Sequence, residues 1–353
     1  MVKRLAMPLA GVITAIISLT LVSLGNPANM GFCIACFLRD TAGAVGLHRA
    51  AAVQYVRPEI IGIILGAFVL SVIRKEFAPK GGSAPISRFV LGFALMIGAL
   101  IFLGCPLRMA LRIAGGDLNA IIGLPGFGAG IFIGVFFLNK GYTLKRTYDM
   151  AKSDGLLVPI VALVMLVLPV VAPSIIHFST EGPGSMRAPI WAALIAGLIM
   201  GAVGFASRLC FVGGIRDSVL FKDFSMFSAF IALVVVVFIG NLILGNFSLG
   251  FENQPVAHTN WLWNFLGLML VGLCSVLLGG CPFKQVVLAG SGNSDSGVAV
   301  LGMFAGSAFA HNFAMASSAA GVTDNGKVGF AVMLAAVFFI AVYNTFFRAG
   351  KNE

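Results

Sequence analysis

Apolar runs of roughly twenty residues recur along this 353-residue chain, parted by short polar breaks. As helix, at a rise of about 1.5 Å per residue, such a run crosses the hydrocarbon core of a bilayer. Only 10% of the residues are charged and 59% are hydrophobic, whereas a soluble domain carries roughly 25% charged residues. The chain therefore reads as an all-α polytopic membrane protein. Its net charge of +10 is not a nucleic-acid footprint, because the cations fall between the runs, as they do when they set membrane orientation. The first run follows Met1-Val2-Lys3-Arg4 and reaches Leu24. It is long for a signal peptide and lacks a clear cleavage site, so a retained span is expected.

Run length places spans near residues 5–25, 58–74, 88–104, 118–138, 156–173, 189–203, 225–245, 261–279, 297–318 and 327–347. Four further apolar pieces are too short and too broken by Gly and Pro to cross. They begin at Met30, Gly104, Gly204 and Gly280, and carry Cys33 and Cys36, Cys105, Cys210 and Cys281 in turn. About ten transmembrane helices plus four re-entrant half-helices are expected. Irregular backbone at that depth is tolerated only where protein or a cavity covers it.

The most informative pieces are two copies of one motif, Gly104-Cys105-Pro106-Leu107-Arg108 and Gly280-Cys281-Pro282-Phe283-Lys284. Pro suits the first position of a helix, where its missing N–H has no intrahelical role. Each copy thus predicts a thiol at the N-terminus of a short helix, where free N–H groups and partial positive charge favour anions. Other features repeat in the same order. Gly31-Phe32, Cys36-Phe37 and Arg39-Asp40 answer Gly204-Phe205, Cys210-Phe211 and Arg216-Asp217. The reading is an internal duplication, with a first repeat over 1–175 and a second over 188–353, each holding five spans and two half-helices. An odd number of spans turns the second copy upside down, and inverted repeats of this kind carry a central binding site on discontinuous helices. With the N-terminus on one side, that side collects 16 cations and the other 7. The positive-inside rule then puts both termini in the cytoplasm, Cys33, Cys36 and Cys105 at the outer mouth, and Cys210 and Cys281 at the inner mouth.

These four pieces together resemble the YeeE/YedE family of bacterial inner-membrane proteins, and most closely the YedE branch described as selenium transporters. The resemblance implies an hourglass-shaped helical protein with four inward-dipping loops, whose cysteines pass a small anion along. Carried over, the positions are Cys33 or Cys36, Cys105, Cys210 and Cys281. The pair on the first loop departs from the pattern and leaves open which of the two thiols matters.

The residues suggest compatible chemistry. A thiol is a polarizable, weak S–H donor and suits a soft terminal sulfur or selenium atom. Arg108 and Lys284 add charge at either mouth. Arg39-Asp40 and Arg216-Asp217 read as structural pairs or gates, and Cys274 as packing. No cofactor and no metal is expected, and the implied partners are a small sulfur- or selenium-containing anion and the lipid bilayer. Two other readings stand beside transport. One is a membrane thiol–disulfide oxidoreductase using Cys33 and Cys36 as a C-x-x-C pair. The other is a membrane anchor for a soluble cytoplasmic sulfur- or selenium-transfer protein docking on loop 140–154.

Overall fold

A computed structural model describes residues 2–347; Arg348 and Lys351, counted above among the cations, lie outside that range. Among the described residues, ten long helices and four short ones follow each other. The long ones are α1 (Val2–Ser23), α3 (Pro58–Ile73), α4 (Pro85–Phe102), α6 (Leu118–Asn139), α7 (Lys152–Val171), α8 (Ile190–Ser207), α10 (Ser225–Ile243), α11 (Trp261–Leu278), α13 (Ser294–Asn312) and α14 (Asp324–Val342). The short ones are α2 (Ile34–Ala44), α5 (Pro106–Ala114), α9 (Phe211–Phe221) and α12 (Pro282–Gly290). Nine segments of the described chain are long and apolar enough to cross a membrane, and the chain is a multi-pass membrane protein. The long helix left out, α13, is diluted by Ser, Asp, His and Asn. Short helices of 9 and 11 residues reach about 14–17 Å at 1.5 Å per residue, roughly half of the hydrocarbon core.

The helices pack in couples: α6 lies along α11 and α4 along α13, while α3 lies along α8 and α1 along α10. The centre is α4 against α11. Small residues set the closest seam. A side chain at Gly130 would run into the backbone carbonyl of Met269, so α6 and α11 touch backbone to backbone. Large apolar residues instead cover the rim, where Ile190, Trp191, Phe339 and Val170 are exposed, as hydrocarbon contact demands.

The connecting segments sort into two sets. The loop after α3 pairs Lys80–Gly81 (β1) with Tyr148–Asp149 (β2) of the loop after α6 and bridges to Asn293. On the other side, Gly250 of the loop after α10 bridges to Asp117, His177 donates its N–H to the Ala44 carbonyl, and the Asn312 amide reaches the Leu47 carbonyl.

Three expectations need correction. The ninth span begins earlier and ends sooner than 297–318: the Asn293 side chain caps α13 by accepting the Ser296 N–H at 2.8 Å. Its end comes at Asn312, after which Ala314 adopts φ 51°. Second, Arg39, Arg57, Arg108 and Arg112, counted among seven cations between spans, are buried; their partners are inside the protein. Third, the internal match of Cys36 with Cys210 is out of register. Cys33 and Cys210 are the equivalent residues: each is an N-cap whose thiol accepts the N–H three residues on, at 3.4 Å. Each also precedes its Arg-Asp pair by six positions. Cys36 stands where the second half has Gly213.

Candidate functional site

All four short helices have a cysteine at the N-cap: Cys33, Cys105, Cys210 and Cys281. Cys105 and Cys281 precede Pro at the first helical position, where φ is preset for the helix. The thiols form two groups. Cys33, Cys36 and Cys105 lie against one another where α2 and α5 begin. Cys210 and Cys281 meet where α9 and α12 begin, and the Cys210 sulfur accepts the Cys281 N–H at 3.4 Å. Short helices of the two groups also touch, α2 with α12 and α5 with α9. None of these five thiols is more than 1% exposed, and all are free. In this conformation both groups are closed to solvent.

Arg108 supplies the electrostatics. Its guanidinium is wholly buried, and its Nη1 lies 3.7 Å from the Cys36 sulfur. Its other contacts are backbone carbonyls: Asn29 at 3.2 Å, Pro255 and Val256 at 3.2 Å each, and Leu103. No carboxylate stands within ion-pair distance of it among the described residues. A buried charge normally has a counter-ion, because desolvation of an unpaired ion costs several kcal/mol. Carbonyl oxygens offset part of that cost and leave the formal charge standing beside the thiols. Lys284 is half-buried, close enough to Cys210 to act on it electrostatically, and likewise has no ion-pair partner among the described residues. The glycine opening each motif explains how the cation fits. A Cβ at Gly104 would sit 2.9 Å from Arg108 Cδ, and one at Gly280 would sit 2.7 Å from Lys284 Cδ. The stem of each cation folds back over its glycine.

The remaining charges near α2 and α5 are paired. Arg112 binds Asp117 at 2.6 Å and lies over the Phe102 ring. Arg39 holds Asp40 at 2.7 Å, and Arg57 takes the other oxygen of Asp40 at 2.8 Å. Arg57 also donates to the carbonyls of Pro183 at 2.9 Å and Met186 at 3.3 Å, tying α2 to the loop between α7 and α8. On α9 Arg216 holds Asp217 at 2.7 Å, but this pair is partly exposed and has no second arginine among the described residues. Sequence reasoning missed Arg57 and the carbonyl cradle of Arg108. Their partners lie up to 148 positions away, and no local signal marks them. Cys274 is buried in α11, as the packing reading expected. No group of three or more His, Cys, Asp or Glu side chains that could hold a metal ion occurs among the described residues.

Residues 206–349 match the family model described as sulphur transport. The matched stretch is less than half of the chain. Two relatives are named thiosulfate transporter TsuA. That of Spirochaeta thermophila is 30% identical over 112 residues, 32% of this chain and 33% of the relative. That of Escherichia coli is 31% identical over 115 residues, 33% of this chain and 32% of the relative. The match thus spans about a third of the length of these relatives. The matched region holds Cys210, Cys281 and Lys284, whereas Arg108 and the three-thiol group lie outside it.

Proposed function

We propose that this protein carries a small sulfur-containing dianion of the thiosulfate type, or its softer selenium congener, across the bacterial inner membrane. The ion passes without a covalent step from Cys33, Cys36 and Cys105 to Cys210 and Cys281. The observation that carries this reading is Arg108, a buried cation with no carboxylate at ion-pair distance among the described residues, set against a thiol where two helices begin. Such a place attracts an anion, and helix N-termini replace part of its hydration. Thiols donate weak hydrogen bonds, so each site in the series releases what it holds. Lys284 beside Cys210 offers the matching charge at the other group.

The paired packing of α4 with α13 and α6 with α11, and of α3 with α8 and α1 with α10, supports two inverted halves, 1–175 and 188–353, about an axis in the membrane plane. It also suits the orientation with both termini in the cytoplasm. Removing the four buried arginines from the outer tally sharpens the cation bias of the inner side. On that side the exposed strand of loop 140–151, pinned by β1, offers a dock for a soluble sulfur-transfer partner. Inward movement of a dianion against an inside-negative potential costs about 4.6 kcal/mol per 100 mV, twice the cost for one charge. Uptake must therefore draw on a second gradient or on consumption of the ion inside.

The test is uptake of labelled thiosulfate and selenium compounds into vesicles by the wild type, Cys105→Ala and Cys281→Ala. Both variants are expected to lose most uptake. Wild-type rates in both would remove the thiol relay.

A further inference from the structure

At the far end of α13 two imidazoles stack. The rings of His48 and His311 lie 4.6 Å apart with planes inclined by 29°. The nitrogens of His48 are both engaged. Its Nδ1 accepts the Ala50 N–H at 3.3 Å, and its Nε2 therefore carries the hydrogen and donates to the Arg39 carbonyl at 3.0 Å. His311 differs: its Nε2 is buried and has no hydrogen-bond partner among the described residues. A buried basic nitrogen left without a partner is uncommon and calls for a ligand, and the smallest is a proton.

The surroundings link this nitrogen to the thiols. His311 sits against α2, the helix that carries Cys33 and Cys36, and Asn312 fastens the end of α13 to the Leu47 carbonyl at 2.8 Å. The groups acting on it are Arg39 and Asp40 of α2 and His48 of the next loop. Beyond them stand Arg57 and Glu59 at the start of α3, 3.9 Å from each other. The other elements packed on α13 bring no charge here. α4 offers Phe93 against Phe309, α7 meets Gly297 through Val158, and Lys284 of α12 lies by Cys210. Arg88 with Asp295, and Lys80 of β1, are at the opposite end of the helix. The cluster of Arg39, Arg57, Asp40 and Glu59 is neutral as ionised. One proton on His311 gives it a net positive charge on the helix of the outer thiols, and an anion in that mouth compensates it. By linkage each then strengthens the binding of the other.

We infer that His311, stacked on His48, is a proton-binding site that couples entry of a proton to passage of the anion, making this protein a proton–anion symporter. The inference rests on the transport reading above and answers its energetic demand, since each accompanying proton cancels one of the two negative charges moved inward.

The experiment uses the full-length protein in liposomes with the potential clamped by potassium and valinomycin. Labelled thiosulfate uptake is followed with equal pH on both sides and with the outside about one unit more acid. Pyranine inside reports proton entry. The wild type is expected to accumulate up to about tenfold more anion under the one-unit gradient and to acidify the lumen as it does. His311→Gln and His311→Asn are expected to exchange labelled for unlabelled anion at equal pH yet ignore the gradient. A wild type that carries the anion but is indifferent to the gradient overturns the proton site and leaves transport standing. So does His311→Gln with a full gradient response. A wild type that carries no anion under any gradient overturns both readings.

Discussion

Replacing Arg108 by Met separates a charge kept for an anion from one kept for the fold. The guanidinium makes five contacts, four to carbonyls and one to the Cys36 sulfur, and no salt bridge among the described residues. Methionine fills much of the same space and leaves no partner charge exposed. Lost hydrogen bonds from a charged donor and relief of an unpaired buried charge act in opposite directions, so stability should move by no more than about 2 kcal/mol. Anion binding has no such offset. A direct charge-assisted contact is worth about 1.5–3 kcal/mol, which corresponds to a loss of about 10–150-fold. Uptake of labelled thiosulfate in liposomes should fall by that factor while the melting temperature in detergent barely shifts. Wild-type uptake by Arg108→Met would refute the argument. So would a large loss of stability that Arg108→Lys does not repair, since the arginine would then be a structural tie through its planar fork.

The neighbouring Arg112→Met should behave oppositely, because it strands the buried Asp117 carboxylate; about 3–5 kcal/mol of stability should be lost, seen as a large drop in melting temperature. Gly130→Ala places a methyl on the Met269 carbonyl and should cost about 1–3 kcal/mol by overpacking, measured the same way, with α6 and α11 forced apart. His48 and His258 lie in connecting segments, and burial holds both below the ordinary imidazole value of 6.5. Below 6.5 the unfolded chain therefore binds more protons than the folded one. Stability from these two groups should be flat above neutrality and decline as pH falls below 6.5, read as melting temperature against pH. Hydrogen exchange should find α9 opening before α2, because all eleven residues of α2 are buried and only four of the eleven in α9; equal protection would contradict it.

Much of this architecture is written in the spacing of the apolar runs. Ten long helices and four short ones can be read from run length and from Gly and Pro breaks, since in lipid those two signals decide where a helix must continue and where it must stop. The ends are less legible. α8 runs on to Ser207 and closes at Arg208 in a left-handed conformation, although the sequence offers Gly204 as a nearer stop. The thiols themselves stand out because a Cys before Pro at a half-helix start is a local pattern. What surrounds them does not. The carbonyls of Asn29, Pro255 and Val256 that cradle Arg108, the reach of Arg57 to Pro183, and the stacking of His48 on His311 join residues between 79 and 263 positions apart. Backbone carbonyls are present in every residue, so no residue type announces them. The register error had a local remedy. The Arg-Asp pairs fix the helix phase, and counting back six positions from each arrives at Cys33 and Cys210.

The two thiol groups are built from like parts and braced unequally. The N-cap thiol accepts the same backbone N–H in both, and the same Arg-Asp pair follows two turns later. Among the described residues only the pair on α2 gains a second arginine, Arg57, whose bonds to Asp40 and to two loop carbonyls bury the pair completely. The pair on α9 is left partly exposed, next to Lys222 in a left-handed conformation and with Phe221 and Phe224 facing out. Exposed ion pairs contribute little, with a median below about 1 kcal/mol, whereas breaking a buried one costs about 3–5 kcal/mol. Opening at α9 is therefore the less costly movement, and it breaks the bond from the Cys281 N–H to the Cys210 sulfur. At α2 the brace instead holds three thiols and Arg108 together. For the transport proposed above, a rigid group at Cys33, Cys36 and Cys105 and a yielding one at Cys210 and Cys281 can hold an anion firmly at one and let it go at the other, which two identical groups would not do.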